Sequence, residues 1–112
     1  MVQNRNKLID LFIGNISNSV VHKILEKAVE NEYLSKRYEK ELTTSFEIAK
    51  KCREKINPGS SLPDKDIKHI KNKIKNKVIS ELSMRISNGY KNINLELVDK
   101  IIEEYLKEAN II

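Results

Sequence analysis

Helix-breaking residues are scarce in this chain of 112 residues, which has only three glycines and two prolines. Because glycine and proline interrupt helices more strongly than any other residues, their scarcity favours long helices. Tryptophan is absent, and the aromatic residues are four tyrosines and two phenylalanines, none of them in the lysine-rich segment 65–77. That segment therefore lacks the aromatic side chains on which proteins stack single-stranded bases.

Cysteine and long hydrophobic runs are equally scarce. Cys52 is the one cysteine, so the chain has no internal disulfide framework and fits a reducing compartment. The apolar run at 8–13 is interrupted by Asp10 and is too short for a secretory signal or a membrane span. We therefore expect a cytoplasmic protein that does not associate with membranes.

The residues that commonly carry catalysis or bind metals are few and dispersed. His22 and His69 lie in different segments, and the spacing of His22 and Glu26 would suit a shared metal only with further ligands, which the sequence does not offer. Cys52 falls on the apolar side of its predicted helix, where a thiol is usually a small core residue. With no glycine-rich phosphate loop and no nucleophile motif, we expect no enzyme activity, no cofactor and no metal site.

The fold class follows from hydrophobic periodicity, which predicts helices throughout and no strand. We expect an all-α protein, a small up-and-down bundle of four or five helices, in one domain over 1–112. The segment 57–64, "NPGSSLPD", is predicted to separate two helical halves. Within it, Pro58 and Gly59 should end the preceding helix, while Ser61 with Asp64 is predicted to cap the next one.

Two further helix boundaries are predicted from single residues, and one is left open. Gly89 in "SNGYKN" can adopt the left-handed conformation that ends a helix, and Asn94 can cap a final helix that begins after it. The polar string "GNISNS" at 14–19 allows either one helix or two over residues 3–31, with a break near Ser17 or Asn18.

One predicted helix, 35–56, keeps six apolar residues on a single face at 100° per residue. These residues are Tyr38, Leu42, Phe46, Ala49, Cys52 and Ile56. We predict that this line is buried and packs against Ile70, Ile74 and Val78 of the following helix.

The lysines of segment 65–77 border a narrow apolar stripe on both sides. Lys68, Lys71 and Lys75 form a strip on one flank, while Lys73 and Lys77 lie on the other. Residues 58–91 have eight basic and three acidic side chains, whereas residues 92–112 have two basic and five acidic ones. The lysines can therefore meet phosphates, or they can meet the acidic last helix of the same chain.

Two functions from different classes are compatible with this sequence. The first is a non-catalytic protein-interaction or assembly module that binds itself, as a homodimer, or a larger protein complex. Its predicted dimer contacts are Leu8, Phe12, Tyr105, Ala109 and Ile112. The alternative is a small basic DNA- or RNA-binding protein that uses the lysines of the basic segment. Its candidate contacts are Lys68, Lys71, Lys73, Lys75 and Lys77.

Overall fold

The computed structural model describes residues 4–57, 59 and 61–112, and every regular element within these ranges is helical. The α-helices are α1 (Arg5–Ala28), α2 (Glu32–Lys55), α3 (Asp64–Ser87) and α4 (Val98–Glu108). A 3₁₀ turn, Leu95–Leu97, leads directly into α4. The prediction of an all-α bundle is confirmed, with four α-helices among the described residues.

Helix α1 continues without a break through the polar string at 14–19. Asn18 Nδ2 donates to Ser45 Oγ at 2.6 Å, and Ser19 Oγ donates to the backbone oxygen of Leu42 at 3.0 Å. Both acceptors belong to α2, so these side chains join two helices instead of capping a new one. Within the described part of residues 3–31 the chain therefore has one helix, Arg5–Ala28, because contacts with α2 satisfy the polar groups of Asn18 and Ser19 that could otherwise have ended it.

Two buried serines on α1 differ in hydrogen bonding, which gives a test of the packing. Ser17 Oγ is buried with no hydrogen-bond partner among the described residues, whereas fully buried Ser19 donates to Leu42. We expect Ser17→Ala to leave the free energy of unfolding unchanged or to raise it, because alanine favours helix and removes an unsatisfied hydroxyl. Ser19→Ala should lower it by about 0.5–1.5 kcal/mol. Urea unfolding followed by circular dichroism would measure both, and the reverse order would contradict the assigned contacts.

The end of α3 is closed by a Schellman motif. Gly89 has a φ of 97°, its N–H donates to Ile86 O at 3.0 Å, and the N–H of Tyr90 donates to Arg85 O at 3.0 Å. Glycine adopts this left-handed conformation without the steric cost that a side chain would bring. The predicted role of Gly89 is confirmed.

Asparagines cap three of the helical segments, and Asn4, whose Oδ1 accepts the N–H of Asn6 at 2.8 Å, caps α1. Asn94 Oδ1 accepts the N–H of Glu96 at 3.0 Å, which confirms its predicted role at the turn before α4. Asn31 Oδ1 accepts the N–H of Leu34 at 3.0 Å and caps α2. Asparagine is among the strongest N-cap residues, so the caps at Asn4 and Asn31 could have been predicted from the sequence but were missed.

The predicted cap at Ser61 is wrong. Helix α3 begins at Asp64 with Pro63 in the N-cap position, and no side chain of the described residues caps its first backbone N–H groups. Leu62 precedes a proline, which disfavours the helical conformation, so the helix cannot begin between Ser61 and Pro63. The predicted stop at Pro58 lies outside the described residues, while the neighbouring Gly59 has a φ of 74°.

The helices alternate in direction, as an up-and-down bundle requires. Near the middle of α1, His22 and Asn18 contact Glu41 and Ser45, so α1 and α2 are antiparallel. The first residue of α1, Arg5, pairs with Asp66 near the start of α3, so α1 and α3 run in the same direction. Helix α4 is antiparallel to α3, and the molecule measures 42 × 24 × 22 Å.

Helix α1 is the centre of the bundle, with twelve of its 24 residues buried. It contacts α2, α3 and α4, whereas direct contact between α2 and α3 is marginal. The predicted packing of the α2 line against Ile70, Ile74 and Val78 is therefore wrong, because α1 lies between the two faces. Within that line Tyr38 and Leu42 are half-buried, and the other four residues are buried.

Candidate functional site

One flank of α3 is neutralised within the chain. Lys71 Nζ lies 3.5 Å from Glu103 Oε1, and Lys75 Nζ lies 3.0 Å from Asp99 Oδ1. The acids belong to α4, so these two lysines meet the acidic last helix, one of the two outcomes that the sequence left open. Each such exposed pair stabilises the fold by only about 0.2–1 kcal/mol, but together they help to select the neighbour of α3.

The opposite flank of α3 keeps its charge. Lys73 and Lys77 are exposed, lie one helical turn apart and have no ion-pair partner among the described residues. Lys68 is also exposed and unpaired within that part of the chain, but it does not line the groove described next. The predicted strip of Lys68, Lys71 and Lys75 is thus largely committed to α4, while Lys73 and Lys77 are available.

A groove of about 630 Å³ runs between α1 and α3 and includes Lys73 and Lys77. The α1 wall consists of Gly14, Ser17, Asn18 and Val21. The α3 wall consists of Lys73, Asn76, Lys77, Ser80, Glu81 and Arg85.

The groove is positively charged overall. Its lining has three cations, Lys73, Lys77 and Arg85, and one anion, Glu81. Arg85 Nε lies 3.1 Å from Glu81 Oε1, and the guanidinium stands 5.4 Å from the centre of the Tyr90 ring. The ion pair and the ring hold Arg85 in place, whereas Lys73 and Lys77 form no ion pair within the described part of the chain.

Sequence reasoning found the two lysines but missed the groove. Both were predicted as candidate nucleic-acid contacts, but the α1 wall around Gly14 and Asn18 was considered only as a site where the helix could end. The sequence does not indicate the groove, because helical periodicity places a residue on one face of its own helix and does not show which helix lies beside that face.

The predicted dimer contacts occupy different depths in the fold. Leu8, Phe12 and Ala109 are buried in the core, Tyr105 is half-buried, and Ile112 is 45% exposed. A buried side chain offers no surface to a second copy, so Ile112 is the member of this set with most surface to contribute. Self-association stays a prediction.

Tyr105 gives a testable dependence of stability on pH. Burial, with help from the nearby carboxylates of Glu108, Glu26 and Glu104, raises the pKa of Tyr105 from 10.0 to about 12. The folded state therefore favours the neutral phenol, and this contribution is complete below pH 10 and is lost as the pH rises towards 12. We expect the free energy of unfolding of Tyr105→Phe to fall less steeply with rising pH than that of the parent across that interval. The control is Tyr33→Phe, because Tyr33 is 75% exposed. Removing its hydroxyl should leave the dependence of stability on pH as it is in the parent.

Two of the groups considered for catalysis or metal binding, His22 and Cys52, are buried in the bundle. His22 Nε2 lies 2.8 Å from Glu41 Oε2, and its Nδ1 lies 2.8 Å from the backbone oxygen of Asn18. The ring therefore connects α1 to α2, and its carboxylate partner is Glu41 instead of Glu26. Burial raises the pKa of the Cys52 thiol, although Lys55 opposes the shift. A higher pKa disfavours the reactive thiolate. Across the described ranges, no three His, Cys, Asp or Glu side chains are grouped to hold a metal ion.

Comparison with known proteins adds no functional assignment. No family model matches the chain, and neither the curated proteins nor the solved structures contain a significant match. In the described part of the chain, no helix is both long and apolar enough to cross a membrane.

Proposed function

We propose that this protein is a non-catalytic helical module that binds the phosphate backbone of nucleic acid. The observation that supports it is the pair Lys73 and Lys77, which share a groove with Arg85 and have no acidic partner among the described residues. The proposal takes up the second of the two functions that the sequence allows. It needs no cofactor and no catalytic residue.

The charge of the whole chain is favourable for such a ligand. The net charge is +5, and the sequence pI is about 9.3. When lysines neutralise phosphates, condensed counterions are released from the nucleic acid, and the affinity then falls steeply with added salt. Two or three phosphate contacts would give weak binding that depends little on sequence, since lysine contacts to phosphate carry no base information.

The groove is a better candidate than the strip beside α4. For Lys71 or Lys75 to bind a phosphate, each would first have to exchange Glu103 or Asp99 for it, and the acid would be left beside the incoming anion. Lys73 and Lys77 require no such exchange. Under this proposal, Lys73 and Lys77 therefore contribute more to phosphate binding than Lys71 and Lys75 do, although all four lie on the same helix.

A pair of double variants tests this distinction. We expect Lys73→Gln with Lys77→Gln to weaken binding of a labelled oligothymidylate of about twelve nucleotides, measured by fluorescence anisotropy. The slope of log affinity against log salt should fall by about 1.4, because each lost contact to a single strand removes about 0.7. The matched control is Lys71→Gln with Lys75→Gln, which removes the same charge from the same helix and should leave the slope close to that of the parent.

Two results would count against the proposal. If the parent protein fails to bind the oligonucleotide at about 50 mM salt, nucleic-acid binding is wrong, and a protein partner becomes the better hypothesis. If the two double variants lower the slope equally, binding reflects total charge and not the groove. Sedimentation of the parent protein at high concentration would measure self-association independently.

A further inference from the structure

Gly14 lies in the middle of α1, at the groove, where nothing in the fold requires a glycine. The residue is exposed and lies within the helix, away from the left-handed region in which glycine is favoured. A Cβ built at this position would meet nothing within 4 Å. Since glycine is less favourable than alanine inside a helix, the chain loses stability here without a packing or conformational reason.

The absent side chain has an effect on the groove itself. Gly14 leaves the backbone of α1 uncovered at one wall, opposite the α3 wall that includes Lys73 and Asn76. Close approach of a ligand to the main chain is one of the recurrent reasons for glycine at a given position. The unfilled space at Gly14 is therefore available to a group that enters the groove from outside.

The opposite wall combines charge with neutral hydrogen-bonding groups. Lys73 and Lys77 supply two ammonium groups one turn apart, and the exposed side chains of Asn76 and Ser80 lie on the same wall. An amide both donates and accepts hydrogen bonds, as does a hydroxyl, so these groups suit a base edge or a sugar. A ligand with phosphates along one side and nucleosides along the other matches both features.

We propose that the groove holds a single strand of nucleic acid, with phosphates at Lys73 and Lys77 and one nucleoside against Gly14 and Asn76. This inference rests on the proposed function and specifies which form of nucleic acid is bound. In a duplex the bases are paired and stacked inside the double helix and cannot turn towards the groove, whereas the bases of a single strand are free to do so. A duplex would touch the lysines and leave the interior of the groove empty.

A neutral substitution at Gly14 tests occupancy of the groove without changing its charge. Gly14→Leu should place a bulky side chain over the space beside Lys73 and weaken binding of the oligothymidylate roughly tenfold, the factor expected when one or two hydrogen bonds are lost. Affinity for a duplex of the same length should not change. Asn15→Leu is the matched control, because Asn15 is the next residue on α1 and does not line the groove. It should behave like the parent towards both ligands.

A variant on the other wall keeps the test decisive if Gly14→Leu folds poorly. Asn76→Leu replaces an exposed residue of the α3 wall and should cause the same selective loss of single-strand affinity, with the melting temperature as the check on folding. If a folded Gly14→Leu or Asn76→Leu protein binds the single strand as the parent does, the groove is not occupied and this inference is wrong. The same holds if the parent binds duplex and single strand equally. In both cases, weaker binding by the Lys73→Gln, Lys77→Gln variant would still support the proposed function.

Discussion

Replacing Phe12 with alanine is expected to unfold much or all of the protein. Phe12 is fully buried in the centre of α1, the helix on which the other three pack. Removing a buried phenylalanine side chain typically costs about 3–5 kcal/mol, because the lost contacts leave a cavity that the surrounding chain only partly fills. Small domains have only about 5–15 kcal/mol of stability in total, so the midpoint of urea unfolding should fall sharply.

The neighbouring residue provides the control for this experiment. Leu11 is 40% exposed, and Leu11→Ala should change the free energy of unfolding far less than Phe12→Ala does. The comparison also bears on self-association, because Phe12 was predicted as a dimer contact. A folded, monomeric Phe12→Ala protein would mean that its side chain serves an interface and not the core.

Leu106→Ala is expected to have the second largest effect, through the docking of α4. This helix has 11 residues, which is too short to be stable alone, so it depends on packing against the rest of the bundle. Leu106 is fully buried, and its backbone oxygen accepts the N–H of buried Ile111 at 2.9 Å, which brings the chain end onto the core. We expect a loss of about 2–5 kcal/mol from the cavity alone.

Leu95→Ala is the matched control, since it removes the same atoms from a side chain that is 38% exposed just before α4. Amide hydrogen exchange would locate the effect, with faster exchange expected in α4 first. Equal losses of stability in the two variants would show that Leu106 does not anchor α4 as its burial indicates.

Local chemistry explains which parts of this fold the sequence could predict. Gly89 and Asn94 mark helix boundaries through interactions within a few residues of themselves, and their roles follow directly from backbone conformation and side-chain hydrogen bonding. The continuity of α1 could not be predicted in this way. It depends on Asn18 and Ser19 finding partners on α2, more than twenty residues away.

The candidate site shows the same division. The two flanks of α3 follow from helical phase, but only the packing shows that Lys75 faces Asp99 while Lys73 and Lys77 face a groove. Phase places a side chain on a face and does not show which element covers that face. The prediction that the buried line of α2 packs against α3 is wrong for the same reason, because α1 lies between these two helices.

The unequal flanks of α3 also affect how the protein would approach a charged surface. Acids from α4 pair with Lys71 and Lys75, whereas Lys73 and Lys77 have no ion pair among the described residues and share their groove with a single acid, Glu81, so the charge on α3 has a dipole from one flank to the other. A particle with such a dipole is rotated by the potential of a polyanion before contact, and its productive encounters then become more frequent than chance orientation allows. At physiological salt this rotation acts only within about 8 Å, the distance over which mobile ions screen exposed charges. Under the proposed function, the acids of α4 therefore bias the orientation in which the protein first meets an anionic surface, and α4 need not touch that surface.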